Sequence, residues 1–236
     1  MLMLMGDTEP VNDLLSHLQQ SGVDVRLFPG KISPVTKEGG ECATADLHPD
    51  HAEIYYPIGS PTHWLYHELL HIERACILGS EVFHAHDTAS DTTKKNLQEI
   101  NNNIDHAFVI PKEIAVYPEA VQYWHNDFYR ALKNIDWSTS PKGICSQKVN
   151  LLQSWLVLPH IPGLIDLADV FCKELQERGW LDTANRMTHS VQAAGVDKRA
   201  AVEAFKIACA ESPTIMGYTL SYAAFQSYKL PNLRTN

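Results

Sequence analysis

The sequence predicts an α+β protein: a small sheet plus a helix carrying a histidine–glutamate motif, followed by a mostly helical C-terminal half. Three observations predict it. Runs of strand character are confined to the first 60 positions, at 23–28, 43–47 and 52–57. From position 61 onward apolar residues recur at the spacing of buried helix faces, as in Leu164, Leu167, Ala168, Phe171 and Leu175. The two regimes meet at Gly59-Ser60-Pro61-Thr62, a helix-start signature.

The elements follow in order. Val11 to Gln20 reads as a short helix with Val11, Leu14, Leu15 and Leu18 on one face. Val23 to Phe28 alternates and stops at Pro29-Gly30, as a strand does. Residues 43–47 and 52–57 flank a turn at His48-Pro49-Asp50-His51 and make a hairpin. Ser60 is expected to cap the next helix, with Pro61 in its first turn and Gly79 at its end. A loop over 80–93 then carries His84-Ala85-His86-Asp87, and a helix over 94–110 stops at Pro111. Further helices are expected over 113–134, 146–158, 163–178, 181–194, 197–210 and 213–226. The stretch Asp136–Ile144, with Ser138-Thr139-Ser140-Pro141-Lys142-Gly143, reads as a loop between residues 1–135 and a helical region 145–236.

Composition narrows the function. The net charge is −9, from 19 Lys+Arg against 28 Asp+Glu, and no basic cluster offers a nucleic-acid footprint. No apolar run approaches the roughly 20 residues of a membrane span, and Met1–Met5 lacks the basic flank of a signal peptide. Five widely spaced cysteines without a C-x-x-C fit the reducing cytoplasm better than a disulfide framework, and read as buried small hydrophobes. The chain therefore reads as cytoplasmic, without nucleic-acid or membrane partners; its oligomeric state is left open. Twelve histidines stand out. His17, His48, His51, His125, His160 and His189 form no arrangement that the sequence alone turns into chemistry.

The organised histidines lie at 63–71, where His67-Glu68-Leu69-Leu70-His71 is an H-E-x-x-H motif. Histidines four apart share one helix face, so both imidazoles can reach one ion, and the adjacent glutamate can reach a water on that ion. Leu65, Leu69, Ile72 and Cys76 fall on the opposite face, so one side buries and the other presents ligands. Zn2+ held there would lower the pKa of its water toward about 7. Glu68 would act as general base and pass the proton to a leaving amine. His63, one turn earlier, reads as an exposed or hydrogen-bonded histidine rather than a ligand.

A catalytic zinc needs a third protein ligand. The next helix offers His106, preferred on geometry, with Glu99 and then Asp105 as alternates. Glu99 and His106 are seven residues apart and share a face, while Asp105 points away. The run Asn101-Asn102-Asn103 is poor helix sequence and suits hydrogen bonds that orient a metal ligand, or a solvated face. Tyr117, Tyr123 and His125 are weighed as oxyanion donors and read better as packing residues. His84-Ala85-His86 reads as a solvated loop, and Glu73-Arg74 as a solvated helix face.

His67-Glu68-Leu69-Leu70-His71, after a strand-rich segment and before a helix ending in Val109-Ile110-Pro111, resembles the zincin-type metallopeptidases of the ImmA/IrrE kind. The resemblance implies a compact cytoplasmic α+β protein linked to cleavage of transcriptional repressors, with residues 1–135 as a zincin-like catalytic region. That family carries a glutamate third ligand in E-x-x-A-N; Glu99-Ile100-Asn101-Asn102-Asn103 echoes it with Asn102 in place of the alanine. Asn102 to His106 is also similar to an Asn-x-x-x-His pattern of uncharacterised bacterial H-E-L-L-H proteins, which implies His106 as ligand. The resemblance covers residues 20–115. The expected function is a zinc-dependent hydrolase, a metallopeptidase acting on a protein or peptide. The alternative is a metal-stabilised regulatory or binding module with the same core and no hydrolytic activity.

Overall fold

A computed structural model describes residues 5–34, 42–48, 50–85, 91–210 and 225–228, with side chains described outside 83–85, 91–101, 210 and 225–228. The architecture is α+β: a three-stranded mixed sheet with helices in the N-terminal part, and a mostly helical remainder. The chain divides into two compact units, one formed by the described residues of Met1–Val82 with Ala115–Tyr117, the other by those of Phe83–Ile114 and Pro118–Tyr228.

In the first unit, α1 (Glu9–Gln20) starts where Asp7 Oδ1 accepts from Glu9 N at 3.0 Å, with Pro10 in its first turn. Strands β1 (Val25–Pro29), β2 (Thr44–Leu47) and β3 (Ala52–Tyr56) lie in the order β1-β3-β2. The expected hairpin is present: β2 and β3 are antiparallel, pairing Thr44 with Tyr55 and Asp46 with Glu53. β1 joins β3 in parallel, Val25 opposite Ala52. One face of the sheet meets α1 and α2 (Thr62–Ile72) around Val11, Leu18, Val25, Ala52, Ile54, Tyr56, Leu65, Leu69 and Ile72. Each such large aliphatic side chain contributes about 1.5–3 kcal/mol on full burial.

The start of α2 differs from expectation. Ser60 makes no cap; its hydroxyl donates to the Pro57 carbonyl. The first turn is instead held from outside, where Thr62 N and Oγ1 both donate to the Met5 carbonyl, at 3.0 and 2.9 Å. At its far end α2 widens into a π turn, Glu73–Ile77, closed by Leu78 N donating to Glu73 O at 3.0 Å. Gly79 follows at φ +73°, in the left-handed region where a side chain would be strained. Arg74 sits 5% exposed in this turn and its carbonyl accepts from Ser80 N, so it is not part of a solvated face.

Two further expectations are corrected beyond Gly79. Residues 82–85, expected in a loop, form β4 (Val82–Ala85), which pairs with β5 (Phe225–Tyr228). The helix expected over 213–226 falls outside the described residues except at 225–226, which belong to β5; phenylalanine and tyrosine, at both ends of Phe225-Gln226-Ser227-Tyr228, are residues that strands favour.

In the second unit the helix expected over 94–110 is longer, α3 (Asp91–Val116), and runs through Pro111. A proline inside a helix leaves the carbonyl four residues earlier without its donor. Here that carbonyl belongs to Ala107, and the Gln192 side-chain amide donates to it at 3.4 Å. α4 (Ala120–Lys133) follows Pro118. α5 (Pro141–Trp155) begins inside the expected loop, because Ser140 caps it by accepting from Gly143 N at 3.0 Å. α6 (Ile165–Glu177), α7 (Leu181–Ala194) and α8 (Lys198–Ala210) match their periodicity. Leu151, Leu156, Phe171, Leu175, Ala184, Val191 and Ala201 are among the buried apolar residues of this unit. No helix of the described residues is long and apolar enough to cross a membrane.

Candidate metal centre

The faces of α2 divide as its sequence requires. Leu65, Leu69 and Ile72 are fully buried in the sheet-side core, which turns His67 and His71 the other way. Their Nε2 atoms stand 3.1 Å apart and the rings meet edge-on at 4.8 Å. Two imidazole nitrogens at that separation can share a proton or a cation. For a common ion about 2.0–2.1 Å from each nitrogen, a tetrahedral edge is about 3.3 Å. Glu68, between them in sequence, is half-buried. His63, one turn earlier, is 5% exposed and edge-on to Trp64 at 6.4 Å, so it is a buried histidine rather than an exposed one.

α3 supplies the third histidine. His67, His71 and His106 are a candidate metal-binding histidine triad, with His67 buried and the other two half-buried. The His106 ring lies edge-on to Trp124 of α4 at 5.3 Å. Trp124 in turn donates from Nε1 to Glu113 Oε2 at 2.8 Å, about two turns further along α3 than His106. That support was not legible in the sequence, where Tyr123-Trp124 read only as packing; Tyr123 does pack edge-on to Trp124 at 5.1 Å.

The alternates fare differently. Asp105 is 8% exposed and accepts from Lys198 Nζ at 2.6 Å, a buried pair that commits its carboxylate elsewhere. Glu99 lies on α3, but its side chain is outside the described set, as is that of Asn101. Asn102 is exposed and Asn103 half-buried. His84 sits on β4 with its side chain outside the described set, and His86 lies outside the described residues altogether. Tyr117 is 2% exposed, donates to the Asp7 carbonyl at 2.8 Å and packs edge-on against Tyr66 at 5.3 Å, which makes it a structural tyrosine. His125 stacks on Tyr129 at 6.3 Å. Burial, and secondarily Glu73, pushes the Tyr66 hydroxyl above its ordinary pKa. Burial pushes the Cys76 thiol up to about 11, so it is no thiolate ligand at neutral pH.

One group among the described residues was dismissed at the level of sequence and is brought together by the fold: His48, His51 and Glu53, whose ligand atoms also lie within 4.8 Å of one another. Nothing in their spacing signals it, because the hairpin register is what gathers them. No family model, curated protein or solved structure matches the chain.

Proposed function

We propose that this protein is a zinc-dependent hydrolase, a metallopeptidase of protein or peptide substrates, with His67, His71 and His106 as metal ligands and Glu68 as general base. The convergence of His67 and His71 Nε2 at 3.1 Å, with His106 as the third candidate ligand, supports this reading. The donor set fits the ion: three neutral imidazoles suit Zn2+, and three protein ligands are the number that catalytic zinc sites use. When bound, zinc supplies a water acidified toward about pH 7 and polarises a carbonyl oxygen. The rest falls to the chain. Glu68, adjacent to His67, takes the proton of the attacking water on its carboxylate and returns it to the leaving amine nitrogen. Trp124 holds the His106 ring edge-on and is itself fixed by Glu113.

His106 rather than Glu99 as third ligand favours the Asn-x-x-x-His pattern of H-E-L-L-H proteins over the E-x-x-A-N pattern of the ImmA/IrrE kind. The thiols of Cys76 and Cys209, both held protonated by burial, suit a reducing cytoplasm. The test is cleavage of denatured casein alongside zinc content. Glu68→Gln is expected to lower the rate by roughly 100-fold or more while retaining zinc, and His67→Gln/His71→Gln to lose zinc and activity together. Activity surviving Glu68→Gln, or zinc content unmoved by the double histidine change, overturns the reading.

A further inference from the structure

The β2–β3 hairpin has two faces with different fates. Ala45, Leu47, Ala52 and Ile54 point into the core. Asp46 and Glu53, directly opposite one another across the ladder, occupy the other face. The alternation of a strand carries that face two residues further, to His48 and His51 at the ends of the turn, which His48 N closes by donating to His51 O at 2.9 Å. The turn therefore stacks the two imidazoles, centroids 4.5 Å apart and 12° from parallel, over the Glu53 carboxylate. His51 Nε2 is 3.2 Å from Glu53 Oε1, and His48 Nε2 is 3.4 Å from Glu53 Oε2.

Hydrogen bonding uses only part of this cluster: His51 Nε2 is bonded to Glu53 Oε1 at 3.2 Å, while other polar atoms are left over. Glu53 Oε2 already accepts from the Tyr55 hydroxyl at 2.7 Å. His48 Nε2 is shielded from solvent yet makes no hydrogen bond. Asp46, 4% exposed, accepts from Ser33 on Oδ2, while its buried Oδ1 has no partner. Arg26, in register with Glu53 on β1, is turned to Asp24 at 2.7 Å. Three carboxylates (Asp46, Asp50 and Glu53) thus gather around two imidazoles. The 3.2 and 3.4 Å separations match the edge of a tetrahedral zinc site, about 3.3 Å for ligands about 2.0–2.1 Å from the ion. Asp50 Oδ1 lies 2.8 Å from His51 Nδ1, the carboxylate–histidine arrangement that orients metal-ligating imidazoles, with Nε2 on the side of Glu53.

We propose that this turn is a second metal site, in which His48 Nε2, His51 Nε2 and the Glu53 carboxylate hold a divalent transition cation of the zinc class. Two imidazoles and a carboxylate are the donors that such ions favour, and Asp46 adds charge behind them. Because the ligands close one turn, the ion clips β2 to β3 and stabilises the folded hairpin. The site shares no residue with the α2 group and stands whether or not that group is catalytic.

The test uses Zn2+ on the full chain, with zinc counted after gel filtration. Wild type is expected to hold two ions, His48→Gln/His51→Gln one, and His67→Gln/His71→Gln one. Loss of one ion on His48→Gln/His51→Gln, with none lost on His67→Gln/His71→Gln, supports the hairpin site and sinks the α2 site. The hairpin variant matching wild type overturns the proposal. Should that variant fail to fold, NMR of the wild-type histidine side chains decides: zinc-induced shifts of His48 and His51 Nε2 support the site, and unmoved signals overturn it.

Discussion

Lys198 of α8 donates to Asp105 of α3 across 2.6 Å, with the lysine 2% exposed. The pair joins residues 93 positions apart and removes Asp105 from any metal. Breaking one side of a buried pair costs about 3–5 kcal/mol, whereas replacing both with apolar residues is close to neutral. Lys198→Ala should therefore lose stability of that order in urea melts. Asp105→Leu/Lys198→Met should recover most of it, and zinc content should stay unchanged in both.

The third ligand separates by affinity. His106→Gln should weaken zinc binding by more than the roughly 10–100-fold that loss of an outer-shell partner costs, and Trp124→Phe should fall inside that range. Glu99→Gln should leave it unmoved. Chelator competition measures all three, and a larger loss for Glu99→Gln than for His106→Gln would transfer the ligand role.

Pro111 and Gln192 should act as one unit. Gln192→Ala removes a donor to a helix carbonyl and should cost about 1 kcal/mol. Pro111→Ala restores the amide that Ala107 O lacks, and on that background Gln192→Ala should cost almost nothing. A double-mutant cycle by denaturant unfolding reads the coupling; additive effects would mean that the 3.4 Å contact carries no energy.

Burial, with Cys145 adding to it and Lys148 opposing it, pushes the Cys209 thiol up to about 12 from its ordinary 9. The unfolded chain releases this proton first as pH rises, so the folded state binds more protons between pH 9 and about 12. The contribution to stability is complete below pH 9 and falls through that window. Urea melts under reducing conditions should show Cys209→Ala losing stability less steeply than wild type above pH 9; identical slopes would refute the shift.

What the sequence disclosed was local. His67, Glu68 and His71 and the apolar face behind them are separated by helix periodicity alone, and the hairpin by alternation around His48-Pro49-Asp50-His51. What it hid depends on partners distant in the chain. The helix passes Pro111 because a glutamine 85 residues away takes its orphaned carbonyl. Asp105 is silenced by Lys198, and Ser60 loses its capping role because Met5 holds Thr62. The three groups of the hairpin site look unrelated until the ladder sets Asp46 opposite Glu53.

The π turn at Glu73–Ile77 has one residue more than an α-helix of the same rise would need. It sits immediately after His71, so the chain beyond it is rotated by about 100° relative to an uninterrupted helix. Deleting one residue within 73–77 would let the helix close regularly and swing Leu78 and Gly79 round by that angle, leaving His67 and His71 in phase. The turn is thus a point where the chain can gain or lose a residue without disturbing the register of the two histidines, and length variation among homologous sequences should collect there.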